Sequence, residues 1–175
     1  MQKLKNVQVL TISAFLVAIA TVLGFFKIPV SEIIEIRFQY LPIAASGFLF
    51  GPAIGGIVGM LADILGYIVK PTGAFFPGFT ISSIASGLIY GWVLYKKEVT
   101  IPRILIAQAI ESVVCSLLIN SINLSILYGS AFTVILSAKL IKALVMFPIK
   151  SVMLYLMLKT IPVMLPSHVR ESFLN

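Results

Sequence analysis

Charged residues are scarce in this sequence: they make up 11% of its 175 residues, whereas apolar residues make up 59%. A soluble domain of this length needs far more charge on its surface. The single cysteine, Cys115, excludes an internal disulfide and a zinc cluster. One histidine, His168, gives neither a histidine pair for a metal nor a Ser/His dyad. The chain also lacks a GxxxxGK(S/T) phosphate loop, so we expect no catalytic residues, no metal, no cofactor and no ATP hydrolysis by this chain.

Long apolar runs fill the sequence instead, and its mean hydropathy is +1.09. Windows of about 20 residues, the length that crosses the hydrocarbon core of a bilayer, predict six spans, at 7–26, 39–52, 53–69, 79–95, 102–127 and 132–158. The second and third are short and joined through Gly51 and Pro52, so they also read as one broken hairpin. We predict an all-α integral membrane protein with six transmembrane helices in a compact bundle, and with residues 1–175 forming a single membrane domain.

The basic residues predict the orientation of these spans. The connections on one side contain most of the basic residues: Lys3, Lys5, Lys96, Lys97, Arg103, Lys159 and Arg170. The positive-inside rule therefore places both termini in the cytoplasm. These cytoplasmic anchors also explain the net charge of +7, so the lipid bilayer is the expected surroundings and no nucleic-acid partner is needed.

Polar side chains inside the predicted spans are costly in lipid and therefore point to function. In the fifth span, helical spacing predicts one inward face that carries Gln108, Ser112, Ser116, Asn120 and Asn123, with Glu111 beside it. These groups either hold neighbouring helices together through hydrogen bonds or contact a ligand. We expect a ligand contact for the two asparagines, which lie nearest the outward end.

Three lysines and one aspartate are also expected within the membrane. Lys139 and Lys142 share a helical face, which predicts an anion site or pairing with Glu111, although Lys139 can also extend outward to the headgroups. For Lys150, extension of the side chain to the nearer, cytoplasmic interface is enough to explain a lysine at this position. Asp63 needs either a cation such as Arg37 or a ligand that offers N–H donors.

The connection after the third span is the most distinctive stretch of the chain. Prolines and glycines between Lys70 and Thr80 predict a structured turn. Its phenylalanines, among them Phe75 and Phe76, are placed beside Pro77 and Gly78 and suit either an interfacial aromatic belt or stacking on a flat heterocycle. We favour stacking.

Three stretches resemble the substrate-binding S-components of energy-coupling factor (ECF) transporters, and among these the folate-specific S-components most closely. They are Arg37-Phe-Gln-Tyr-Leu-Pro42, the glycine-rich run from Gly51 to Gly59 with Asp63-Ile-Leu-Gly66, and Pro71-Thr-Gly-Ala-Phe-Phe-Pro-Gly-Phe-Thr80. The resemblance extends over essentially the whole chain in length, span number and topology. It implies a vitamin-capture subunit in the bacterial plasma membrane, which works with a transmembrane coupling protein and two cytoplasmic ATPases.

The resemblance also implies roles for particular residues. Ala14 and Ala18 match an AxxxA motif on the first helix that docks the coupling protein. A folate ligand has a heterocycle with N–H donors, two ring systems to stack on and a dianionic tail. The ligand contacts that we expect are Arg37, Tyr40, Asp63, Tyr67, Phe75, Phe76, Pro77, Gly78, Asn120, Asn123, Lys139 and Lys142.

Four other functions remain open at this point. The first is capture of another heterocyclic vitamin, such as riboflavin or thiamine. The second is an autonomous secondary transporter, although only Asp63 and Glu111 are available as intramembrane carboxylates for a proton relay. An intramembrane enzyme would need a catalytic pair that is not visible. A purely structural membrane protein would not need buried lysines.

Overall fold

The structure is a computed structural model that describes residues 7–29, 35–71, 76–129 and 132–164. The elements follow one another as α1 (Val7–Phe25), β1 (Lys27–Pro29), β2 (Glu35–Arg37), α2 (Tyr40–Phe50), α3 (Pro52–Val69), α4 (Pro77–Leu94), α5 (Ile101–Glu111), a π-helical segment (Ser112–Ile119), α6 (Asn120–Tyr128) and α7 (Phe132–Met164). α5, the π-helical segment and α6 are consecutive, so this part of the chain corresponds to one span.

Six apolar helical stretches occur where the sequence predicts spans, and five of them are confirmed as long enough to cross a membrane. Within the described residues, five helical stretches are long and apolar enough to cross a membrane, and α2 is a shorter apolar helix. α2 has 11 residues and is therefore about 16 Å long, roughly half the thickness of the hydrocarbon core. The fold differs from a purely helical one between α1 and α2, where β1 and β2 pair as an antiparallel hairpin with Lys27 opposite Arg37.

The two sides of the bundle differ in what they contain. One apolar cluster brings together the start of α1 (Val9), the end of α2 (Phe50), the end of α4 (Leu94) and the last part of α7 (Leu154 and Leu158). These ends therefore lie on the same side of the bundle. The opposite side, which we call the hairpin side, holds strands β1 and β2, the end of α3, the start of α4, the end of α6 and the start of α7.

Glycines allow α2, α3 and α4 to pack backbone against backbone. A Cβ atom on Gly47 of α2 would lie 2.7 Å from the backbone N of Gly91 on α4. A Cβ on Gly55 of α3 would lie 2.6 Å from the carbonyl O of Gly87, also on α4. We call these close contacts the glycine seam. Small residues permit such approaches in membrane helices, and the seam fixes the relative positions of α3 and α4.

The span formed by α5, the π-helical segment and α6 changes its helical winding in the middle. Its π-helical segment has eight residues, and a π-helix has a wider turn than an α-helix. The predicted single face is therefore not regular: Gln108, Ser112, Cys115 and Asn123 are buried, whereas Ser116 and Asn120 are only partly buried. None of the five predicted side chains is exposed, so they turn inward as predicted; the assumption of 3.6 residues per turn throughout was wrong.

Candidate functional site

Asp63 on α3 is held by hydroxyl groups of α4. The Thr80 hydroxyl donates to Asp63 Oδ2 at 2.7 Å, and the Ser83 hydroxyl lies 3.5 Å from Oδ1. The close packing of the two helices places these groups opposite each other, since a Cβ on Gly59 would overlap the Ser83 carbonyl. Arg37, the partner expected from the sequence, belongs to β2, and its side chain is outside the described residues.

A second carboxylate, Glu111, lies in a buried polar cluster between α4, α5 and α7. Ser86 donates to its Oε1 at 3.4 Å, and the Gln108 amide donates to its Oε2 at 3.3 Å. Lys150 Nζ is 4.0 Å from the same Oε2. The Tyr90 hydroxyl completes the cluster by donating to Gln108 Oε1 at 3.0 Å.

The position of Lys150 corrects the sequence interpretation. We expected this lysine to extend to the nearer membrane interface, but its ammonium group points to Glu111 and lies 5.0 Å from the centre of the Tyr40 ring. The Tyr40 hydroxyl in turn donates to the backbone carbonyl of Lys150 at 3.3 Å. A buried carboxylate attracts the ammonium more strongly than the interface does, because both charges are otherwise poorly solvated in the bundle.

Asn120 and Asn123 lie at the hairpin side, next to the start of α4. A Cβ on Gly78 would overlap the Asn123 side-chain amide, so the backbone of α4 and this amide are in direct contact. Asn120 Oδ1 and Asn123 Nδ2 are buried, and neither has a hydrogen-bond partner among the described residues. Buried amide atoms of this kind are rare unless a ligand or water satisfies them.

Aromatic rings border these amides. The Phe76 ring packs edge-to-face on Phe79, with 6.0 Å between ring centroids. Phe76 and Gly78 are partly buried, whereas Pro77 is exposed. Phe75 lies outside the described residues. Tyr67 is partly buried on α3, one helical turn beyond Asp63 and towards the hairpin side.

The lysines of α7 line one face of that helix. Lys139, Lys142, Met146 and Lys150 follow one another at intervals of three, four and four residues, which places them on one stripe. Lys139 Nζ donates to the Ser116 carbonyl at 3.3 Å, so the stripe faces the π-helical segment. The structure thus places two of the predicted lysines on the same face as Lys150.

Ala14 and Ala18 lie on the other side of the molecule. Both are exposed, whereas Ser13, Val17 and Ala20 of the same helix are buried. The two alanines therefore form a strip of small residues that points away from the bundle.

Sequence reasoning left several polar residues out of the candidate site, among them Glu111, Lys150, Thr80 and Ser86. A sequence signal was present for Ser86, because Ser82, Ser86 and Tyr90 follow one another at intervals of four residues and so share one helical face. The structure buries all three. The pairing of Glu111 with Lys150 joins positions 39 residues apart in the sequence. Periodicity within one helix cannot reveal such a pair.

Comparisons with known proteins agree with this architecture. The profile of the family described as "ECF transporter, substrate-specific component" matches residues 8–166. The chain is 40% identical to the folate transporter FolT of Clostridium novyi, over 87% of this chain and 88% of that protein. It is 28% identical to the riboflavin transporter RibU of Staphylococcus aureus, over 73% and 70% of the two chains.

A solved structure also matches the fold. The crystal structure of FolT bound with folic acid superimposes with a TM-score of 0.79 at 30% sequence identity, and the match covers 86% of this chain and 92% of that chain. Together with the apolar helices, these similarities identify a multi-pass membrane protein. The chain belongs to the substrate-specific components of ECF transporters.

Proposed function

We propose that this chain is the folate-binding transmembrane subunit of an ECF-type transporter in a bacterial plasma membrane. It captures folate at the outer face, and with both termini in the cytoplasm the hairpin side faces outward. The observation that carries the proposal is the 40% identity to a folate transporter over nearly the whole length of both chains. The structural match to FolT bound with folic acid supports it.

The polar groups of the hairpin side suit such a ligand. Asn120 Oδ1 and Asn123 Nδ2 offer an acceptor and a donor, and the nearby Phe76 ring offers an apolar surface for an aromatic ring system. Lys139 and Lys142 provide positive charge for the carboxylates of the ligand tail. Arg37 adds a further cation on the hairpin strand that precedes α2.

Transport requires energy that this chain does not supply. We propose that a transmembrane coupling protein and two cytoplasmic ATPases supply it, and that the chain itself is not an enzyme. Ala14 and Ala18 are the proposed docking strip for the coupling protein, because small exposed side chains let a partner helix approach closely.

Riboflavin is the second candidate ligand, because the chain is 28% identical to a riboflavin transporter. Riboflavin has a flat heterocycle but no carboxylate. The lysines on the α7 face therefore favour the anionic ligand.

Equilibrium binding tests the ligand. Calorimetry on the purified chain in detergent is expected to show saturable folic acid binding, with riboflavin and thiamine as controls. Arg37→Ala and Lys139→Ala are expected to weaken binding about tenfold each, because each removes a cation from a carboxylate. Binding of riboflavin or thiamine without folic acid would keep the family and replace the ligand; unchanged affinity in both variants would refute the charge assignment.

Uptake in cells tests the docking strip separately. Ala14→Trp is expected to abolish uptake in cells that contain the coupling proteins, while calorimetry on the same variant shows normal folic acid binding. Phe15→Trp is the matched control, because Phe15 already exposes a large side chain, 65% accessible, on the same helix. Normal uptake by Ala14→Trp would exclude this strip as the interface.

A further inference from the structure

The ammonium group of Lys150 is partly buried beside a buried carboxylate, yet it has few partners. Among the described residues its contacts are the 4.0 Å approach to Glu111 Oε2 and the Tyr40 ring, and no hydrogen bond reaches it. The hydrogen bonds that Glu111 accepts from Ser86 and Gln108 are also long, at 3.4 and 3.3 Å. Ionised groups in a protein interior normally form shorter, charge-assisted hydrogen bonds. The Lys150 ammonium and the Glu111 carboxylate can therefore form further hydrogen bonds.

Lys150 reaches the interior of the bundle and not the lipid. The residues one turn before and after it, Met146 and Leu154, are 4% and 0% exposed. Lys150 lies on the same stripe of α7, and its side chain keeps 20% exposure beside Glu111. A ligand bound between the helices along this stripe would contact both Lys150 and Glu111.

The order of the polar atoms matches one edge of a known ring system. The Lys150 ammonium comes first, Glu111 Oε2 lies beside it, and Oε1 lies beyond, on the side of Ser86. This gives a donor followed by two acceptors. The 2-amino-4-oxo edge of a pterin presents the complementary order: the O4 acceptor, the N3–H donor and the 2-amino donor.

We propose that the Glu111–Lys150 pair is the specificity-determining contact for the heterocycle of the ligand. Lys150 donates to O4, Glu111 Oε2 accepts from N3–H, and Oε1 accepts from the 2-amino group. This assignment rests on the proposed folate function. It identifies the heterocycle as the part of the ligand that binds to Glu111 and Lys150. Asp63 is less suited to bind the heterocycle, because its carboxylate already accepts a 2.7 Å hydrogen bond from Thr80.

The same assignment orients the ligand. Lys139 and Lys150 are eleven residues apart on α7, which corresponds to about 16 Å along the helix. With its heterocycle at Glu111 and Lys150, an elongated ligand extends towards Lys139 and Lys142 at the hairpin side. Its carboxylates then meet the cations there, on the same side of the bundle as Asn120 and Asn123.

The test compares folic acid with its 4-amino analogue (aminopterin), which replaces the O4 acceptor by an amino donor and leaves N3 without a proton. The wild-type chain is expected to bind folic acid at least about tenfold more tightly, because the analogue leaves the ammonium and Glu111 Oε2 without complementary partners. Lys150→Met and Glu111→Gln are each expected to reduce this preference to about threefold or less. Glu111→Gln is expected to reduce the preference for folic acid because the glutamine amide, unlike the glutamate carboxylate, can donate a hydrogen bond to the unprotonated N3 of the analogue.

Matched controls separate recognition from stability. Lys159→Met and Glu98→Gln change the same residue types at exposed positions and are expected to keep the wild-type preference. A purely structural role of the pair would lower the affinities for both ligands together and leave their ratio unchanged. That result, or a wild-type chain without preference for folic acid, would overturn the proposal.

Failure of the proposed function gives a different result, since the wild-type chain would then bind neither compound. Thermal melting in detergent shows whether each variant is folded. If Lys150→Met does not fold, the nearly isosteric Glu111→Gln decides the question by itself. Lys150→Arg, which keeps a cationic donor, is expected to retain the preference for folic acid.

Discussion

Alanine at Gly55 is expected to destabilise the bundle, whereas alanine at Gly66 of the same helix is expected to leave it at least as stable. A Cβ on Gly55 would lie 2.6 Å from the Gly87 carbonyl O and 2.9 Å from the Gly47 Cα. Both contacts are with backbone, so no side chain can rotate away. A Cβ on Gly66 meets nothing within 4 Å in the described residues.

The size of the effect follows from comparing the two variants. Each replaces glycine by alanine inside α3, and the intrinsic gain in helix propensity, about 0.5–1 kcal/mol, is shared by both. Their difference in the free energy of unfolding is therefore the cost of overpacking the glycine seam. For insertion of a methyl group into a well-packed core this cost is about 1–3 kcal/mol.

Thermal melting of the purified variants in the same detergent measures this difference. One kcal/mol corresponds to a shift of about 2–4 °C for a chain of this size, so Gly55→Ala is expected to melt at least about 2 °C below Gly66→Ala. Equal melting temperatures, or a higher one for Gly55→Ala, would show that α3 and α4 are not in backbone contact at this position.

Three further predictions concern other parts of the molecule. Thr80→Val removes the 2.7 Å hydrogen bond to Asp63 and should lower the free energy of unfolding by about 1–2 kcal/mol in denaturant titrations. The control Thr11→Val, at an exposed position, should change this free energy by less than about 0.5 kcal/mol. Equal effects of the two substitutions would contradict the Asp63 contact. The Cys115 thiol, whose residue is 1% exposed, should react with a maleimide at least about tenfold more slowly in the folded protein than in the denatured chain, and rapid labelling of the folded protein would contradict its burial. Gly78→Ala should weaken folic acid binding about tenfold in calorimetry by displacing the amide packed on it, and unchanged affinity would place the ligand away from this amide.

Most of the fold could be predicted from the sequence because lipid imposes a simple rule. A helix satisfies its own backbone hydrogen bonds, so long apolar runs in a membrane are helical. The predicted span 7–26 and the helix Val7–Phe25 differ by one residue. The hairpin at β1 and β2 was missed, since three-residue strands are too short for an alternating pattern to emerge.

The candidate site was predicted less completely. Asn120 and Asn123 were selected from their position near the outward end of the span, and the structure places the Asn123 amide beside Phe76 and Gly78; their contact with a ligand stays a prediction. Lys150 was misjudged, because its depth alone suggested that it extends to the interface. Only tertiary packing brings it within 4.0 Å of Glu111.

The glycine seam has a mechanical consequence. Where backbone touches backbone, no layer of rotatable side chains can absorb a displacement, so α2, α3 and α4 must move as one stiff body. α4, α5 and α7 are instead connected through long side-chain contacts at Glu111, between 3.3 and 4.0 Å, which can lengthen or exchange partners at little cost. Any motion that opens the bundle therefore takes place in α5 to α7, and amide hydrogen exchange should be faster there than along the seam.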